Sequence, residues 1–91
     1  MDIETLFEQC ANEDLRFEKI KIKFSKRSDL HAFILLDKLF PENQDIIGSA
    51  EHDKIWLNID DEQIQNLSKA QILELSRCGI FYDEDSLCMF V

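Results

Sequence analysis

Two pairs of short apolar segments, each pair joined by a few polar residues, constrain the fold of this chain most strongly. The first pair is IIGSAE and KIWLNID, joined by HD at 52–53, and the second is IFY and LCMFV, joined by DEDS at 83–86. Short polar turns between strand-like segments are typical of β-hairpins, because so short a connection can join only antiparallel neighbours. The sequence therefore predicts two hairpins.

The first hairpin is predicted to have an apolar and a polar face. Side chains alternate between the two faces of a strand, so Ile55, Leu57 and Ile59 should point into the core. Trp56 then lies on the outward face, together with Lys54. An aromatic ring on an outward face is a candidate anchor for a partner protein.

Helical spacing of apolar residues predicts two helices before the first hairpin. One covers about residues 3–12, with Asp2 placed to cap its first turn. The other follows Ser28 as DLHAFILLDKLF and cannot continue past Phe40, because Pro41 has no backbone N–H. Its apolar stripe consists of Leu30, Phe33, Ile34, Leu36 and Phe40.

Two capping signals lie between the hairpins. They predict a short helix at 61–67 and a second helix at 69–78. The residues with capping-box spacing are Asp60 with Gln63 and Ser68 with Gln71. Gly79 is suited to the left-handed residue that ends the second helix.

Between the first two helices the apolar period changes to two. Ile20, Ile22 and Phe24 alternate with Lys19, Lys21 and Lys23. This pattern predicts a half-buried strand that exposes its lysines, preceded by a bulge near Phe17 and Glu18. The full order, α-β-α-β-β-α-α-β-β, favours an α+β fold with a small antiparallel or mixed sheet and about four helices mainly on one face.

The length of the chain, 91 residues, suits one globular domain over residues 1–91, because so short a chain cannot supply two cores. The longest apolar run, Ala32–Leu36, is far too short to cross a bilayer, and the start MDIETLFEQC is acidic where a signal peptide is basic. We therefore expect a cytoplasmic protein that does not bind membranes.

No catalytic, cofactor or metal-binding motif stands in the sequence. Only His31 and His52 could serve as the usual general base, and both are predicted to lie on the surface without a framing motif. Cys10, Cys78 and Cys88 have no CxxC spacing, so we expect reduced, partly buried thiols. The acidic runs DDE and DED lack the ligand spacing of a calcium loop. We expect no enzyme activity, no cofactor and no metal site.

Charge is distributed in blocks along a chain whose formal net charge is -9. Six of the ten Lys and Arg residues lie between Arg16 and Arg27, and the segments on either side are acidic. A strongly negative field repels nucleic acid and attracts basic proteins. We therefore expect a basic partner protein and no direct binding of duplex nucleic acid.

The acids at helix starts and in hairpin turns are the candidate residues for binding that partner. They are Asp60, Asp61, Glu62, Asp83, Glu84, Asp85, Glu51 and Asp53. Carboxylates held by a small fold can occupy a basic groove that normally receives phosphates, as small phage inhibitors of restriction or CRISPR complexes do. The likeness to those inhibitors is one of size and acidity. Our first hypothesis is a non-enzymatic inhibitor of this kind, with a nucleic-acid-processing complex as one candidate partner.

Other interpretations of the charged surface stay open. The acidic turns would also arise from solubility alone, and lysines on an exposed strand discourage pairing with other chains. The alternative functional hypothesis is an ordinary protein-interaction module or adaptor that uses Trp56 with the lysine strip, defined as Lys19, Lys21 and Lys23. Monomer and homodimer are both compatible with the sequence.

Overall fold

The computed structural model describes residues 2–83 and 85–90, which form a four-stranded antiparallel sheet and four α-helices. The helices are α1 (Ile3–Cys10), α2 (Ser28–Leu39), α3 (Asp61–Gln65) and α4 (Lys69–Arg77). The strands are β1 (Ile47–Ala50), β2 (Lys54–Leu57), β3 (Ile80–Asp83) and β4 (Ser86–Phe90). The predicted α+β class is confirmed, as are both hairpins and the order of the helices around them.

The two hairpins join through β2 and β4, which gives the strand order β1-β2-β4-β3. Trp56 on β2, Cys88 on β4 and Phe81 on β3 lie in one row across the sheet. β1 and β3 are therefore the two outer strands. The second turn is tighter than the four-residue DEDS turn of the sequence prediction, because Asp83 already pairs with Ser86.

The two faces of the sheet have different surroundings. One face contributes buried residues to the core that the helices share: Ile55, Leu57, Ile80, Leu87 and Met89. The other face, here called the outer face, carries the alternate residues Lys54, Trp56, Phe81, Cys88 and Phe90, none of which belongs to that core in the described part of the chain. The predicted packing of helices mainly on one face is confirmed.

Local signals place the helix ends. The Asp2 carboxylate accepts a hydrogen bond from the Thr5 N–H at 2.8 Å, and the Ser68 hydroxyl accepts one from the Gln71 N–H at 3.1 Å. The Gln71 side chain in turn accepts from the Ser68 N–H at 2.8 Å, which completes the predicted capping box. Gly79 has a φ of 97°, as the predicted left-handed position requires.

The strand predicted at residues 19–24 does not form. Phe17–Lys19 is a single 3₁₀ turn and the chain beyond it is irregular. Ile20 is buried, but Ile22 is 77% exposed, so the alternation of apolar residues does not define a buried face. The backbone N–H of Phe24 donates to the His31 side chain instead of to a neighbouring strand. Apolar residues at every second position form a strand only where a neighbouring strand is available to pair with them.

The prediction that His31 lies on the surface is wrong. Its ring is fully buried on α2, although Leu30, which was predicted to belong to the apolar stripe of this helix, is 49% exposed. Nδ1 accepts from the Phe24 N–H at 3.2 Å, and Nε2 lies 3.1 Å from a Glu74 carboxylate oxygen. The Phe24 ring stacks on the imidazole with centroids 4.9 Å apart. A neutral ring with its hydrogen on Nε2 satisfies both hydrogen bonds.

Cys10, Cys78 and Cys88 are all buried, more completely than the partly buried thiols that the sequence predicts. Burial raises the pKa of the Cys78 thiol to about 12, and the negative charge of Glu74 adds to this shift. None of the helices in residues 2–83 and 85–90 combines the length and apolar character that a membrane span requires.

His31→Ala is expected to lower the free energy of unfolding by about 2 to 4 kcal/mol, because it leaves a cavity and removes the partner of the Phe24 N–H. His52, which is exposed near the first hairpin turn, offers a matched control. His52→Ala should change stability by less than about 0.5 kcal/mol. Urea unfolding monitored by circular dichroism measures the free energy of unfolding of both variants. Equal stability of the two variants would contradict the anchoring role of His31.

The thiols are expected to be nearly inert towards Ellman's reagent in the folded protein at about pH 8, because the thiolate is the reactive form and the side chains are buried. In denaturant all three should react at once. Rapid reaction of Cys78 in the folded state would show that its burial is wrong.

Candidate protein-binding surfaces

The sheet register separates the predicted acidic residues into two groups. Glu51 and Asp53 lie in the first hairpin turn, next to the row in which Lys54 pairs with Phe90. The other acids lie at the opposite end of β4, where Asp83 pairs with Ser86. β2 runs antiparallel to β4, so Asp60, Asp61 and Glu62, which follow the end of β2, lie at the same end. Glu84 lies outside the described residues. The predicted set is therefore not one continuous surface.

Asp83 is neutralised within the molecule. The Lys54 ammonium lies 2.6 Å from a carboxylate oxygen of Asp83, and only 16% of the lysine side chain is exposed. The same Lys54 Nζ lies 3.8 Å from the centroid of the Trp56 ring and 5.6 Å from that of the Phe81 ring. The side chain thus crosses the outer face. Lys54 is therefore the side chain that covers the Trp56 ring.

Three acids at this end lie around Tyr82, on the outer strand β3. The Tyr82 hydroxyl donates to the Asp85 carboxylate at 3.3 Å. Partial burial raises the pKa of Tyr82, and the negative charges of Asp85, Asp61 and Glu4 raise it further. Acids from α1, the start of α3 and the second turn therefore act on one site. We call Glu4, Asp61, Glu62 and Asp85 the acidic end; all four are exposed.

Glu4 is not among the predicted site residues, because it lies 78 positions before Tyr82 in the sequence. No local pattern relates two residues so far apart. The contact that brings them together is the stacking of Phe7 on Tyr82, with ring centroids 5.7 Å apart.

Many of the bases are engaged within the molecule. Arg16 pairs with the Asp14 carboxylate at 2.8 Å, and the Arg77 guanidinium donates to the Asp14 carbonyl at 2.8 Å. The hydrogen bonds from Arg16 hold the pKa of the Asp14 carboxyl well below its usual range. Lys23 donates to the Ile20 carbonyl at 2.6 Å and lies over the Phe17 ring. Several bases are thus bonded to groups of the chain itself, although Arg16 and Lys23 stay exposed.

The lysine strip and Trp56 do not form one surface. Lys19 and Lys21 line a groove of about 320 Å³ with residues of α4, which lies on the helical side of the sheet. Trp56 lies on the outer face. The alternative site of the sequence analysis is therefore divided between opposite sides of the molecule.

The outer face has its own aromatic cluster. The rings of Phe81 and Phe90 stack with centroids 4.7 Å apart, and Cys88 is fully buried in the same row as Trp56 and Phe81. Phe90 is 64% exposed, whereas Trp56 is only partly exposed beside Lys54. The exposed aromatic residue on this face is therefore Phe90, which alternation along β4 could have indicated.

No metal-binding cluster emerges from the described residues. Both ring nitrogens of His31 are engaged and the ring has no exposed surface. Within residues 2–83 and 85–90, no three side chains of His, Cys, Asp or Glu come together in a way that could hold a metal ion. The features that remain for recognition are the acidic end and the outer face.

Lys54→Ala is expected to shift the tryptophan emission to longer wavelength, because removing the lysine stem exposes Trp56 to water. It should also cost about 1 kcal/mol of stability through loss of the cation–π contact and the ion pair with Asp83. Lys69→Ala, at an exposed position at the start of α4, is the control and should leave the emission unchanged. An unshifted spectrum for Lys54→Ala would mean that Trp56 is not covered by this side chain.

Comparison with known proteins found no matching family model, no matching curated protein and no matching solved structure. The function of this chain is therefore inferred from its own surfaces.

Proposed function

We propose that this protein is a non-enzymatic binding protein that captures a basic partner protein through its acidic end. The observation that carries the proposal is the grouping of exposed acids around Tyr82 in a chain of formal net charge -9. Asp61, Glu62 and Asp85 are exposed and lie outside the ion pairs formed among the described residues. The outward field at this end is negative.

The acids at this end are held in place by the fold. Asp61 and Glu62 begin α3, and the Asp60 N–H preceding them donates to the Gln63 side chain at 3.1 Å. Asp85 is tied to Tyr82. Carboxylates carried on a backbone held in this way steer a basic partner at long range. In the finer form of the proposal, the protein binds a groove of the partner that otherwise receives nucleic acid, and it thereby inhibits the partner.

Reversing charge at the acidic end should abolish capture of basic proteins from a cell lysate. Asp61→Lys combined with Glu62→Lys is the test, and Glu51→Lys combined with Asp53→Lys gives the same change in net charge at the other end of the sheet. The first variant should lose the partner, and the second should retain it. Capture by the unmodified protein should fall as NaCl rises from about 50 to about 300 mM, because salt screens exposed charges.

Equal loss in both variants would assign binding to net charge alone and contradict the specific site. Retention of the partner by both variants would contradict the acidic end altogether. Each variant needs the circular dichroism spectrum of the unmodified protein before its binding is interpreted.

A second candidate function is favoured by the outer face, where Phe90 is 64% exposed and stacks on Phe81. An aromatic cluster on an open sheet face can anchor an apolar partner surface. In the same lysate experiment, this interaction module would capture a partner whose binding persists at high salt. The Phe90→Ser variant would lose that partner, and the variant with both Asp61→Lys and Glu62→Lys would keep it.

A further inference from the structure

β3 is an outer strand of the sheet, with β4 on one side. In an antiparallel ladder, alternate N–H and C=O groups of an outer strand point away from its neighbour. Residues 80–83 therefore present a backbone edge that another extended segment can pair with. Phe81, Tyr82 and Asp83 all keep part of their surface exposed, whereas Ile80 is buried.

A groove of about 360 Å³ lies between this edge and α1. Its apolar part includes Phe7 and Tyr82, whose stacked rings join α1 to β3. Leu15, which is 36% exposed, contributes another apolar side chain to the lining. At the start of β3, a Cβ placed on Gly79 would meet no atom within 4 Å, so the entrance to the groove is open.

The charge of the groove has one sign. Among the described residues that line it, Glu4 and Glu8 are acidic and none is basic. These two glutamates are four positions apart on α1, so they lie on the same face of the helix and both are exposed. Asp61 and Asp85 add negative charge around Tyr82. The groove therefore combines a backbone edge, apolar contacts and carboxylates.

We propose that a basic, extended segment of the partner protein pairs with the outer edge of β3 as a fifth strand. The inference rests on the proposed function and names the part of the partner that is bound. Side chains alternate along a strand, so lysines or arginines at every second position can reach Glu4 and Glu8 while the backbone pairs with β3. Main-chain hydrogen bonds give affinity, and the alternate side chains give specificity.

A second copy of this chain is a poorer occupant. Isologous pairing of two β3 edges would bring the carboxylates of Glu4, Glu8 and Asp85 of both copies to one junction. Like charges at a junction disfavour association. A basic segment meets the same carboxylates with the opposite charge.

A short peptide of alternating arginine and valine is the probe, and its glutamate–valine counterpart is the control. With isotope-labelled protein, the arginine peptide should shift the amide resonances of residues 79–83 and of α1, and the glutamate peptide should shift none. Glu4→Gln combined with Glu8→Gln should weaken binding about tenfold. Glu51→Gln combined with Asp53→Asn removes the same charge elsewhere and should change affinity less than about twofold.

N-methylation of the arginine peptide tests the backbone pairing directly. One peptide carries methyl groups on all arginine nitrogens and the other on all valine nitrogens. In a strand, the N–H groups of alternate residues point to the same side, so one of the two peptides should lose binding and the other should keep it. Equal affinity of the two methylated peptides would overturn strand addition.

The outcomes also separate this inference from the proposed function. If the arginine peptide binds but shifts residues 60–62 and leaves β3 unchanged, strand addition is wrong and capture of a basic partner by the acidic end still stands. If the peptide does not bind at low salt, the inference is overturned. The lysate experiment with Asp61→Lys and Glu62→Lys then decides the proposed function independently.

Discussion

The pairing of β2 with β4 is the interaction on which the rest of the structure depends. A single two-stranded hairpin is only marginally stable in water, and this pairing joins two hairpins into one sheet. It places Ile55 opposite Met89 on the helical side and Trp56 opposite Cys88 on the outer face. The same register fixes which turns lie at each end, and thus which acids can act together.

A buried histidine organises the positive part of the molecule. His31 binds the backbone of Phe24 and the carboxylate of Glu74, and so fastens an irregular segment to α2 and α4. That segment contains most of the bases between Arg16 and Arg27. With the segment packed against the helices, Arg16 and Lys23 bond to nearby groups of the chain itself. The excess of negative charge itself comes from the composition, which gives the chain a formal net charge of -9.

The proposals for function share one physical basis, which is the asymmetry between the two outer strands and between the two faces. At β3, a backbone edge lies beside Glu4 and Glu8. At the outer face, aromatic rings surround Lys54, whose ammonium is already directed to Asp83. The edge thus suits a charged, extended ligand, whereas the outer face suits an apolar one.

The sequence by itself determined the two hairpins, four helices and their capping residues, because turns, caps and alternation depend on residues within a few positions of one another. It also indicated the acids of the turns. Only the tertiary structure decided that residues 19–24 form no strand and that His31 is buried. It also decided that Lys54 neutralises Asp83 and that Glu4 lies near Asp61 and Asp85. Each of these depends on which distant segments dock together. The periodicity of one segment contains no information about the partner that covers it.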